Sequence, residues 1–136
     1  MRIIHFTLLI FFAVSCSTSK NVMQNKMNGS WIPVQEEIGG TVLPKASFQT
    51  QKLIINDSNY TFTAESVDKG VVKWGGDKMD IYGKEGINKG KHFTAIYKLE
   101  NEQLTICYNL KGDSYPDAFT TKGKPMLFLC TFNRIK

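Results

Sequence analysis

Residues 28–136 are expected to form one all-β domain, a small up-and-down antiparallel β-barrel of about eight strands. Three observations predict it. From Gly29 onward apolar and polar residues alternate with period 2; Tyr60, Phe62 and Ala64 share one face of a strand while Thr61, Thr63 and Glu65 share the other. Short groups of Asp, Asn, Ser and Gly interrupt the alternation at close intervals. Nine Phe, five Tyr and two Trp supply the bulk for an interior in a chain of 136 residues, room for one domain. Short links make successive strands antiparallel neighbours, and closing the sheet removes its exposed edges.

The N-terminus reads as an address. Met1-Arg2 is followed by a dozen mostly apolar residues up to Val14, the layout of a secretory signal and too short to span a bilayer. Ala13-Val14-Ser15-Cys16 resembles the lipobox of bacterial lipoproteins, which implies cleavage after residue 15 and diacylation of Cys16. An anchor of several acyl chains holds stably to a membrane. Residues 16–27 then read as the lipidated cysteine and a polar tether. No acidic run follows Cys16, which favours an outer-membrane anchor facing the periplasm.

Eight strands are expected. The first covers Gly29 to Ile38, the second Gln51 to Asn56, with a turn at Asp57-Ser58-Asn59. The third covers Tyr60 to Ser66, with Asp68-Lys69-Gly70 turning into a fourth at Val71 to Trp74. Gly75-Gly76-Asp77 leads to the fifth, Lys78 to Tyr82, and a Gly- and Lys-rich loop follows to Gly90. The sixth is His92 to Leu99, the seventh Gln103 to Asn109, and a longer loop over 110–124 precedes the last, Pro125 to Asn133. The stretch from Gly39 to Thr50 is irregular, with one helical turn expected over Ala46 to Gln51.

The charge is +5, and without Arg2 sixteen Lys and Arg face twelve Asp and Glu. The lysines are scattered and Arg134 is the only later arginine, which argues against a nucleic-acid site and for a mildly basic solvated surface.

Asn28-Gly29-Ser30-Trp31, Gly40-Thr41-Val42-Leu43-Pro44, the run from Gly90 to Leu99 containing Ile96-Tyr97-Lys98-Leu99, and Leu104-Thr105-Ile106-Cys107 occur in this order. Together they resemble a family of lipocalin-like (calycin-type) domains of unknown function, abundant in Planctomycetes and found in other bacteria. The resemblance spans nearly all of residues 28–134. It implies that Arg134 of the last strand packs across Trp31 of the first and closes one barrel end, a cation–π contact worth roughly 0.5–2 kcal/mol. It implies no enzymatic activity and supplies no settled ligand.

The candidate residues are weighed against plain structural roles. Tyr60, Phe62, Trp74, Tyr82, Phe93, Tyr97, Tyr108 and Phe128 either line a ligand cavity or fill a core; an eight-stranded barrel is just wide enough to be packed solid or to hold one small ligand, and a packed or nearly packed interior is favoured. Cys107 and Cys130 lie on adjacent strands, where they form a disulfide in an oxidising compartment or stay as two buried thiols. His92 stands alone, so no metal site or nucleophilic triad is expected, nor any cofactor. Glu36 and Glu37 are adjacent on a strand and point to opposite faces, while Asp113 and Asp117 sit in turn-like sequence; neither pair reads as catalytic. The expected function is a membrane-tethered module binding a small apolar or amphipathic ligand. The alternative is a non-enzymatic envelope protein that uses the barrel as a scaffold for an unknown protein partner.

Overall fold

The computed structural model describes residue 22 and residues 24–136, so Cys16, the signal and most of the tether lie outside the described residues. Nine strands form among the described residues: β1 (Gly29–Ile38), β2 (Thr41–Val42), β3 (Lys52–Asn56), β4 (Asn59–Thr63), β5 (Val67–Gly75), β6 (Lys78–Glu85), β7 (His92–Glu100), β8 (Gln103–Asn109) and β9 (Leu127–Ile135). Each pairs antiparallel with its neighbour in the order β2-β1-β3-β4-β5-β6-β7-β8-β9, and β9 returns to pair with β1. Eight strands thus close an antiparallel barrel, and the short β2 is an extra strand on the end of β1. No helix among the described residues is long and apolar enough to cross a membrane.

Alternation puts one side chain in two inside. Trp31, Leu53, Ile55, Val72, Met79, Ile81, Tyr97, Leu104, Ile106 and Phe132 form the core, and Lys69, Lys98, Glu100 and Asn133 face out. The turns 57–58, 76–77 and 101–102 lie at one end, with positive φ at Asp57, Gly76, Asn101 and Glu102. That end also holds the chain entry and is the floor. The wider loops 64–66, 86–91 and 110–126 surround the opposite end, the mouth.

The floor is tied by Arg134. Its guanidinium carbon lies 4.1 Å from the Trp31 ring centroid, and its two terminal nitrogens donate to the carbonyls of Asn28 and Lys26, each at 2.6 Å. Its Nε pairs with Glu102 at 2.5 Å. Gly29 leaves the room: a Cβ there would lie 2.6 Å from an Arg134 terminal nitrogen. Trp31 Nε1 donates to the Met27 carbonyl at 3.0 Å.

Local expectations fail where tertiary contacts outweigh composition. The tether reading runs too far, because residues 24–27 are helical and Met27 is fully buried in the floor. Asp68-Lys69-Gly70 does not turn; it pairs with Phe62, Thr61 and Tyr60, and the reversal falls at 64–66. Gly70 is there for close approach, since a Cβ would lie 2.1 Å from the Tyr82 carbonyl oxygen and 2.6 Å from the Tyr60 ring. The stretch after Gly39 forms β2 and a 3₁₀ turn at Lys45–Ser47 rather than a helical turn over 46–51. The last strand runs two residues later than expected, to Ile135.

The loop 110–126 is a strap across the outer face. Tyr115, Phe119 and Leu129 pack on Ile96, Cys107 and Leu127, a second apolar cluster outside the barrel. Buried Asn109 donates to Asp113 and to the Ser114 carbonyl, both at 2.9 Å, and Thr121 donates to Glu37.

Candidate functional site

The interior is not solid. Behind the mouth is a cavity of about 200 Å³ lined by Phe62, Phe93, Tyr108, Phe128 and aliphatic side chains, with Glu36, Tyr60, Asp68 and Asn88 as its polar lining. This is smaller than the roughly 300–1,000 Å³ usual for drug-sized ligands and larger than the 150 Å³ or so that admits benzene. A second recess of about 420 Å³ lies between the strap and the outer sheet, lined by Asp77, Lys78, Ile96 and residues 115–119. Exposed Asp77, Lys78, Asp117 and Ala118 make it a solvated groove.

Glu36 is the unusual group. The β1–β9 register shifts between Pro33 and Gln35, a bulge at Val34. Proline suits a bulge because it has no N–H to contribute to the ladder. Trp31 and Pro33 face inward; strict alternation would put Gln35 inside next. The extra residue resets the phase, so Val34 and Gln35 both face out and Glu36 turns in, only 3% exposed. Opposite it is Cys130, whose thiol donates to Oε1 at 3.9 Å. That weak contact is the only hydrogen bond of the Glu36 carboxyl among the described residues. Burial pushes the Glu36 carboxyl up to about 7, the thiol contact opposing this only in part. Burial and the neighbouring Glu36 drive the Cys130 thiol well above the usual range.

Two tyrosines complete the polar lining. Burial raises Tyr108 far above an ordinary phenol, and burial followed by the Asp68 charge raises Tyr60. Asp68 faces inward at the rim, where Oδ1 accepts the Asn88 N–H at 3.0 Å and Oδ2 the Asn88 side-chain amide at 3.3 Å. This ties loop 86–91 over the mouth.

The eight aromatic candidates separate into three groups. Tyr60, Phe62, Phe93, Tyr108 and Phe128 line the cavity. Trp74 and Tyr97 lie toward the floor instead, edge to face at 5.1 Å, with the Tyr97 hydroxyl donating to the Gly76 carbonyl. Tyr82 is outside, stacked on His92 at 4.6 Å, because it sits out of phase with inward Met79 and Ile81. His92 pairs on that outer face with Asp80 at 2.7 Å, and Tyr115 donates to the other Asp80 oxygen at 2.6 Å.

Of the two alternatives for Cys107 and Cys130, a disulfide or two buried thiols, the structure has the second: both are free and buried. Cys130 pairs in register with Ile106, and Cys107 with Leu129. One residue of offset puts Cys130 in the barrel core and Cys107 under the strap, on opposite faces of the sheet. Asp113 and Asp117 contact different lysines, Lys111 and Lys124. No group of three or more His, Cys, Asp or Glu side chains able to hold a metal gathers among the described residues.

Sequence reasoning missed Glu36, Asp68 and Asn88 as cavity residues. Pro33 inside an otherwise alternating strand was the available signal for Glu36, since it marks a bulge and therefore a change of face. Asp68 carried only turn composition. Comparison with protein-family models, curated proteins and solved structures finds no match to this chain.

Proposed function

We propose that this protein is a lipid-anchored, lipocalin-like lipoprotein of the bacterial envelope that binds one small apolar or amphipathic molecule inside its barrel, without enzymatic activity. The observation that carries this reading is the cavity of about 200 Å³, mostly apolar, with a few convergent polar groups. Its volume restricts the ligand to about one ring or a short chain. The anchor reading rests on Ala13-Val14-Ser15-Cys16. Titration with toluene followed by NMR tests the cavity: shifts confined to Phe62, Tyr108 and Phe128 are expected, and Phe62→Trp, which fills the space, abolishes them. An unchanged spectrum refutes the binding reading. Labelling with an alkyne fatty acid tests the anchor, and a signal that survives Cys16→Ser refutes lipidation there.

One observation favours a second reading, an interaction scaffold. Ile32, Ile54 and Ile135 are exposed on the outer face. Ile54 and Ile135 flank Ser30 from both sides, two positions from Ile32 on β1. Exposed apolar clusters mark contact surfaces. Under this reading Ile32→Lys with Ile54→Lys abolishes partner cross-linking in cells; retention of the cross-links counts against it.

A further inference from the structure

We propose that the cavity takes a small apolar amine, its ammonium seated on Glu36 and its ring or short alkyl chain among Phe62, Tyr108 and Phe128. This rests on the cavity being a ligand site and names the ligand's chemistry. Glu36 is 3% exposed and borders open cavity space, and its carboxyl has a thiol at 3.9 Å as its only hydrogen-bond partner among the described residues. A buried carboxyl held so weakly has lost its water and gained little in exchange. The bulge at Val34 aims it inward, where regular alternation would have aimed Gln35.

The lining selects the sign of the ligand. Among the described residues no Lys, Arg or His lines the cavity, so an anionic head group would meet Glu36 and Asp68 with no cation to balance them. Asp68 is already engaged by Asn88, which leaves Glu36 as the free acceptor. The groups that line the cavity with Glu36 or contact it are the Cys130 thiol from β9, Tyr108 from β8, Tyr60 from β4 and Asp68 from β5, and none is a cation. Burial holds a proton on Glu36 up to about pH 7 in the empty cavity. An entering ammonium displaces that proton and supplies the opposite charge.

The test is calorimetry of the full chain in lipid nanodiscs, with empty discs as blank, using benzylamine, benzyl alcohol, toluene and benzoate. Benzylamine is expected to bind roughly 10- to 100-fold more tightly than benzyl alcohol or toluene, the range for a charge-assisted hydrogen bond. Benzoate binds most weakly. Glu36→Gln brings benzylamine down to the affinity of toluene for the same variant, and toluene binding that persists in it shows that the cavity is intact. On the unaltered protein, benzylamine affinity rises from pH 5.5 to 8 with proton release at the acid end, while toluene affinity stays level. Equal affinities for benzylamine and toluene, a flat pH profile, or no response to Glu36→Gln overturns the amine inference and leaves the cavity reading standing. Tightest binding of benzoate overturns it in favour of a carboxylic acid. No binding by any of the four overturns both.

Discussion

Replacing Glu36 by Gln should change how stability depends on pH, by an amount the structure sets. The carboxyl has its pKa raised from an ordinary 4.5 to about 7 by burial. A raised carboxyl pKa means the native state keeps a proton that the unfolded chain releases. Wild-type stability is therefore highest with respect to this group below about pH 4.5, falls as pH rises through the interval to about 7, and levels off above it. At 1.36 kcal/mol per pH unit, the fall is about 3 kcal/mol. Gln keeps the shape and has no proton to lose. Urea unfolding of residues 17–136 at pH 4, 5, 6, 7 and 8.5, followed by tryptophan fluorescence, measures both proteins. Subtracting the curves cancels groups common to both, the Asp80–His92 pair included. The variant should gain on wild type by about 3 kcal/mol between pH 4 and 8.5. A difference that stays flat over that range refutes the claim that Glu36 is buried in the barrel without a strong partner.

Four further outcomes are expected. Arg134→Ala removes the cation over Trp31 and the hydrogen bonds to Asn28 and Lys26, and should cost roughly 2–4 kcal/mol in urea unfolding; a loss under 1 kcal/mol or so would show the floor closing without it. Intact mass and thiol titration of the protein expressed in an oxidising compartment should show Cys107 and Cys130 both reduced and both modified only on unfolding, and a mass two hydrogens lower would contradict their placement on opposite faces. Gly70→Ala forces a Cβ against the Tyr82 carbonyl and the Tyr60 ring and should destabilise by about 1–3 kcal/mol or more; a neutral result would show that the strands β4 and β5 yield there. Tyr115→Phe removes the strap's hydrogen bond to Asp80 and should speed amide exchange in residues 110–126 without altering β3–β5; exchange unchanged in the strap would refute its fastening at that point.

The sequence by itself determined the strands, most of the tight turns and the barrel class. These follow from period-2 alternation and from Gly, Asn and Asp at the reversals, both local properties. It also contained Trp31 and Arg134, whose contact joins the two ends of the domain. The tertiary structure decided which way certain residues face. The bulge at Val34 turns Glu36 inward, a one-residue offset between β8 and β9 separates Cys107 from Cys130, and the phase of β6 puts Tyr82 outside. The physical reason is the same each time. Side chains alternate across a strand with period 2, so a register change of one residue exchanges inside and outside, and register is set by pairing between strands rather than along one. The cavity depends on how eight inward faces meet, so only the closed barrel shows both the space and the carboxyl beside it.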